Sequence, residues 1–208
     1  MNDATVQDAL AHLRQADPVL ARVISRIGPY RPRPRRRASH FHDLARMIVF
    51  QQLSGKAAGT IHGRFCALFP RGHAEPELLL QMTDDTLRAA GLSRQKIGYL
   101  RDLADKVHGG ALPLDRVRYM TDDAIIEHLV QVKGIGRWTA QMFLMFRLGR
   151  PDVLPELDLG IQNAIRLHYG KRRRVTPRDV LRIGRPWRPY ASIACWYLWR
   201  SLDGDGPN

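Results

Sequence analysis

A chain of 208 residues, 44% of them hydrophobic and 25% charged, is long enough for one sizeable core or two small lobes and has the make-up of an ordinary soluble globule. Its 33 lysines and arginines against 20 acids leave a formal charge of +13 and a pI near 10.6, which suits a partner rich in phosphate. Biased coding would explain why arginine outnumbers lysine, but not why cations outnumber acids, so a polyanion partner is expected. No apolar run is long enough to span a bilayer. The start, "MNDATVQDALAHLRQAD", is too polar and acidic for a signal peptide, and a cytoplasmic location with no membrane partner is expected. The two cysteines, Cys66 and Cys195, lie far apart, which excludes a four-thiolate zinc or iron–sulfur site within the chain. Both sit in apolar segments, as buried free thiols do.

Helical periodicity dominates from the N-terminus onward. "TVQDALAHLRQADPVLARVISRIG" repeats apolar residues at spacings of three and four, with Pro18 marking a break. "RPRPRRR" (31–37) is a basic, proline-broken linker, either a solvated loop or an arm that touches phosphate. "FHDLARMIVFQQLS" (41–54) is apolar on most faces and predicts a central buried helix, with Ser54 able to cap the helix that follows. "MTDDTLRAAG" (82–91) offers Thr83 as cap and Gly91 as stop. "SRQKIGYLRDLADKVHGG" puts Ile97, Leu100, Leu103 and Val107 on one face. "MTDDAIIEHLVQV" reuses the Thr-Asp-Asp start and carries the stripe Ile125, Ile126, Leu129 and Val130. "DLGIQNAIRLHYG" (158–170) and "RPYASIACWYLWRSL" (188–202) complete the series, and no alternating β pattern competes. The expectation is an all-α protein of roughly nine to eleven short helices.

Only "KGIG" separates the helix "IIEHLVQV" from the helix "RWTAQMFLMF". A turn that tight calls for backbone angles open mainly to glycine, at Gly134 and Gly136. Bare glycines let backbone N–H groups approach a ligand closely, beside the positive end of the second helix. Ile135 can plug the core and hold the turn. The expected result is an anion site that grips a phosphodiester without reading a base, built from Lys133, Gly134, Ile135, Gly136 and Thr139.

Downstream stands "PDVLPELDLGIQNAI", in which Asp158 could simply cap a helix. "GIGRWTAQMF" followed by "DVLPELDLG" resembles the signature of the helix-hairpin-helix DNA glycosylases, in their 3-methyladenine DNA glycosylase II branch. The resemblance runs from about Phe41 to Trp199: "FHDLARMIVFQQLSGKAAGTIHGRF", "GLSRQKIGYLRDLA" and "RPWRPYASIACWYLW" match the family's helices in order. It implies two helical lobes with an active-site cleft between them and the hairpin motif at the cleft. Residues 1–40 would pack with 151–208 as one lobe, and 41–150 would form the other. The family's extra N-terminal β domain would be lacking.

The resemblance implies a monofunctional DNA N-glycosylase that hydrolyses the bond to alkylated bases of the 3-methyladenine type in base excision repair. Asp158 is the implied catalytic carboxylate, with Glu156 as its rival. Trp138, Trp187 and Met142 are implied in the base pocket, where electron-rich rings attract a cationic base. Met142 departs from the aromatic residue that some members carry there. Each tryptophan could instead be core, and Trp196 and Trp199 are read so. Gln52 and Leu53 match the turn whose side chain fills the gap left by a flipped base, although packing would equally explain Leu53. Trp138 stands where strand-cutting relatives hold a Schiff-base lysine, so no lyase step is implied. No cofactor or metal is required, apart from a monovalent cation that could sit at the hairpin carbonyls as in relatives. The partner is double-stranded DNA with damaged bases, bound by a monomer. Two other readings stay open: a non-catalytic helix-hairpin-helix DNA-binding module, and a glycosylase for other damaged or mismatched bases.

Overall fold

The computed structural model describes residues 3–32 and 38–203, and most of the basic stretch at 31–37 lies outside them. Twelve α-helices and no strands occur among the described residues: α1 (Asp3–Ala16), α2 (Pro18–Ile27), α3 (His40–Phe50), α4 (Gly55–Ala67), α5 (Pro76–Gln81), α6 (Asp84–Ala89), α7 (Arg94–His108), α8 (Asp122–Leu129), α9 (Arg137–Met142), α10 (Leu159–His168), α11 (Pro177–Gly184) and α12 (Ala191–Arg200). The π-helical segment Phe143–Leu148 continues α9, and 3-10 turns form at Val117–Tyr119 and Arg185–Trp187. The helices exceed the expected number because α5 and α11 are too short, at six and eight residues, to show a periodic stripe. None of the helices is long and apolar enough to cross a membrane.

Short helices need their first N–H groups satisfied, and this chain does so with side chains. Ser54 and Ser93 cap α4 and α7, while Thr83 and Thr121 cap α6 and α8 in the same way, each followed by two aspartates that complement the helix dipole. Thr176 and Asp179 form a reciprocal capping box at α11. The expected stripe on α8 is shorter than read. Ile125, Ile126 and Leu129 are buried but Val130 is exposed, because α8 ends at Leu129 and Val130 is already turning away.

The chain divides into two units, residues 1–34 with 149–208, and residues 35–148. The boundaries fall a few residues before 40/41 and 150/151. Arg147 explains part of this, since its guanidinium binds His40 Nδ1 at 2.9 Å, Asp43 Oδ2 at 3.0 Å and the Ala38 carbonyl, which ties residues 38–40 to the unit that follows.

In the first unit α12 buries Ile193, Ala194, Cys195 and Leu198, and it packs on α10 and α2. Asp17 is buried and serves as a cap. Its Oδ1 accepts from the N–H groups of Val19 and Leu20, and its Oδ2 accepts from the Tyr169 hydroxyl and the Trp187 indole. In the second unit α3 is the buried centre, with Phe41, Leu44, Ile48 and Val49 inside, flanked by α4 and α7.

Candidate functional site

The hairpin lies between α8 and α9. The Ile135 N–H donates to the Val132 carbonyl at 3.0 Å and closes the turn, while the Ile135 side chain is buried. Gly134 is required twice over. Its φ of +81° is strained for any residue with a side chain, and a Cβ there would stand 2.2 Å from the ring of Tyr99. Gly136 differs from the expectation. It is the extended N-cap of α9, with φ −92° and ψ 174°, and a Cβ there would meet nothing within 4 Å, so the fold does not require glycine.

Lys133, Thr139 and Met142 differ in what they leave exposed. The Lys133 N–H is spent on Asp102 Oδ2 at 2.9 Å, and its ammonium lies 3.9 Å from Asp102 Oδ1 on an exposed side chain. Partial burial of Asp102 would raise its carboxyl, but the hydrogen bonds from Lys106 and Lys133 and their charges outweigh it and hold the group below its ordinary value. Thr139 is only 6% exposed, so it sits behind the hairpin rather than on a phosphate-facing surface. Met142 is likewise buried on the inward side of the helix, which leaves a bound base little of it to touch. Trp138, by contrast, is 43% exposed.

The turn after α3 is fastened to the hairpin. Gln51 donates its amide to the Gly134 carbonyl at 2.8 Å. The Lys96 ammonium donates to the carbonyls of Val49 at 2.6 Å and Gln51 at 2.9 Å, at the negative end of α3, and burial lowers its pKa below the usual lysine value. Gln52 takes φ +57°, which non-glycine residues rarely hold unless their surroundings enforce it. The turn therefore presents Gln52 and Leu53 outward, and Leu53 is not core. Gln51, Lys96, Tyr99 and Asp102 were not singled out from the sequence. On α7 the last three look like an ordinary polar face, because their partners stand 31 to 47 residues away.

His42, His62 and Cys66 place potential ligand atoms within 4.8 Å of one another. The Ala74 N–H donates to His42 Nδ1 at 3.0 Å, which puts the neutral ring's proton on Nε2. A metal-ligating imidazole needs the opposite, a ring N–H donated outward and a lone pair turned to the metal. The cluster is assigned to hydrogen bonding within its unit.

In the other unit Asp158 is 8% exposed and is the N-cap of α10. Its Oδ1 accepts the Ile161 N–H at 2.8 Å and the Trp199 indole N–H at 2.9 Å. Trp199, read as core from the sequence, is half-buried and bonded to this carboxylate. Burial first, and the negative charge of Asp158 second, push the Cys195 thiol well above its usual value. Glu156 lies on the approach to α10, where its carbonyl accepts from Gln162. Trp187 is a correction. It is fully buried with its N–H on Asp17 Oδ2 at 2.8 Å, and so offers no ring face to a bound base. Its acceptor stands 170 residues earlier, which local sequence does not reveal.

An all-helical fold, a glycine hairpin opening a short helix and a buried aspartate capping another define a protein of the helix-hairpin-helix class. The chain belongs to the HhH-GPD superfamily of base excision DNA repair proteins, whose family model matches residues 45–189. It is 35% identical to the DNA-3-methyladenine glycosylase 1 of Schizosaccharomyces pombe, over 91% of this chain and 85% of that protein. Among solved structures it resembles the DNA-3-methyladenine glycosidase from Bacillus halodurans, with TM-score 0.86, 36% identity, and 94% of this chain and 89% of that one covered. It also resembles the S. pombe 3-methyladenine DNA glycosylase in complex with abasic DNA, with TM-score 0.83, 34% identity, and 97% and 100% covered.

Proposed function

We propose that this protein is a monofunctional DNA N-glycosylase that hydrolyses the bond between deoxyribose and alkylated bases of the 3-methyladenine type. The observation that carries the reading is Asp158, a buried carboxylate gripped by two N–H donors at the start of α10, in a chain whose relatives bear that activity in their names. A base inside a duplex is out of reach, so it is turned out of the stack before reaction. As the glycosidic bond breaks, positive charge grows on the sugar. A carboxylate already stripped of water and fixed in direction stabilises that charge and orients or deprotonates the attacking water.

The exposed indole of Trp138 offers a ring face to a cationic base. The N–H groups of Gly134 and Gly136 and the outward turn at Gln52 and Leu53 act on the duplex, the first on phosphate and the second as the wedge. Lys133 is the lysine of the hairpin, and its ammonium is paired with Asp102. Trp138 stands where strand-cutting members of the resembled family hold a Schiff-base lysine, and an indole forms no imine with the sugar.

The test is incubation with a methylated duplex. Free 3-methyladenine appears, the strand stays intact with an abasic site, and borohydride traps no protein–DNA adduct above background. Binding without base release would make the chain a DNA-binding module. Release of an oxidised or mismatched base alone would move it to another glycosylase branch. Trapping that is lost in Lys133→Ala would give it a lyase step.

A further inference from the structure

We propose that Trp199 is a positioning residue for the Asp158 carboxylate, and that Gly160 is present to admit its indole. The proposal rests on the catalytic reading of Asp158. Oδ1 receives one N–H from Ile161, within α10, and one from Trp199, on α12. The first is what any aspartate cap would have. The second comes from a different helix, and two donors on separate helices hold the oxygen against rotation of the side chain.

The glycine supports the same reading. A Cβ at position 160 would lie 3.0 Å from Asp158 Oδ1, 3.0 Å from Trp199 Cδ1 and 3.2 Å from Trp199 Nε1. Glycine weakens the first turn of a helix, and here it opens the place where carboxylate and indole meet. The other tryptophans of the first unit behave differently. Trp187 is wholly core, and Trp196 lies edge-on to the rings of Tyr30 and Tyr197. Trp199 is half-buried and directs its polar atom at the carboxylate.

An indole suits the task chemically. Its N–H only donates and does not titrate, so it fixes the carboxylate's plane without offering it a proton or accepting one from water. Stabilisation of a developing cation depends on a dipole or charge set in place before the reaction, and a carboxylate free to swing loses part of that benefit.

The experiment measures single-turnover base release and binding of abasic duplex for Trp199→Phe, Gly160→Ala and Asp158→Asn. Trp199→Phe is expected to slow release about tenfold, the loss of one charge-assisted hydrogen bond, with affinity for abasic duplex changed less than about twofold. Gly160→Ala keeps the indole but displaces it from Oδ1, and is expected to slow release likewise. In the Asp158→Asn background Trp199→Phe is expected to add nothing. An unchanged rate in either single variant overturns the proposal. So does a loss confined to binding, or the same tenfold loss persisting in the Asp158→Asn background. If Asp158→Asn itself turns over normally, the catalytic reading of Asp158 fails first.

Discussion

At Gly134 one hydrogen atom in place of a methyl group decides whether the hairpin closes. Alanine there would meet both the left-handed backbone and the Tyr99 ring. The first costs about 1–2 kcal/mol and overpacking costs about 1–3 kcal/mol more. Gly134→Ala is therefore expected to lower stability by roughly 3 kcal/mol in urea titrations. Gly136→Ala, with open space and extended angles, is expected to leave the unfolding midpoint nearly unchanged while weakening binding to all duplexes alike, through loss of close approach to phosphate. A midpoint that falls equally for both would refute this division. At Asp158 the exchange of one oxygen for nitrogen removes the charge and keeps the shape. Asp158→Asn is expected to abolish base release almost completely, with duplex affinity largely retained in a gel-shift titration. Near-normal turnover would direct attention to Glu156.

The helices are short, and their caps carry much of their definition. At α11 the Thr176 backbone N–H first, and its hydroxyl second, hold the Asp179 carboxyl well below its ordinary value, with help from Arg173. A group whose pKa falls on folding contributes stability above its unfolded value near 3.9, and loses that contribution as pH drops toward the folded value. Stability is thus expected to decline below about pH 4, and Asp179→Asn to flatten that decline, read from urea midpoints across pH. Thr176→Ala removes the partner and is expected to cost about 1 kcal/mol at neutral pH. The turn after α3 is an element held in another way. Lys96 fills the carbonyl end of α3, and Gln51 bolts it to the hairpin, so the unusual backbone at Gln52 is maintained by contacts far off in the chain.

Over the whole molecule, the charge of +13 implies that DNA binding displaces condensed counterions. Affinity for an undamaged duplex is expected to fall steeply and linearly on a log–log plot against salt. A flat response would mean that the arginine content reflects composition rather than a phosphate-binding surface. The same charge does not choose a damaged base. On the site proposed above that choice falls to Asp158 and Trp138, so discrimination between alkylated and normal purines is expected to be far less sensitive to salt than affinity is.

The all-helical class, the hairpin, the serine and threonine caps and the aspartate before Leu-Gly were legible in the sequence, because each depends on residues close together in the chain. Periodicity, capping and a glycine turn act over three to eight residues, and a reader of the sequence meets all the participants at once. The particular tryptophan that serves the carboxylate was not legible. Trp187 matched the family pattern and proved to be core, since its acceptor, Asp17, comes from the opposite end of the chain. Trp199 looked like core and proved to be bonded to Asp158, since the packing of α10 on α12 brings residues 41 apart into contact. Likewise only tertiary structure separated Gly134, which Tyr99 crowds, from Gly136, which nothing crowds. Local sequence sets backbone direction and helix ends, whereas the partner of a polar side chain is settled by which helices pack together.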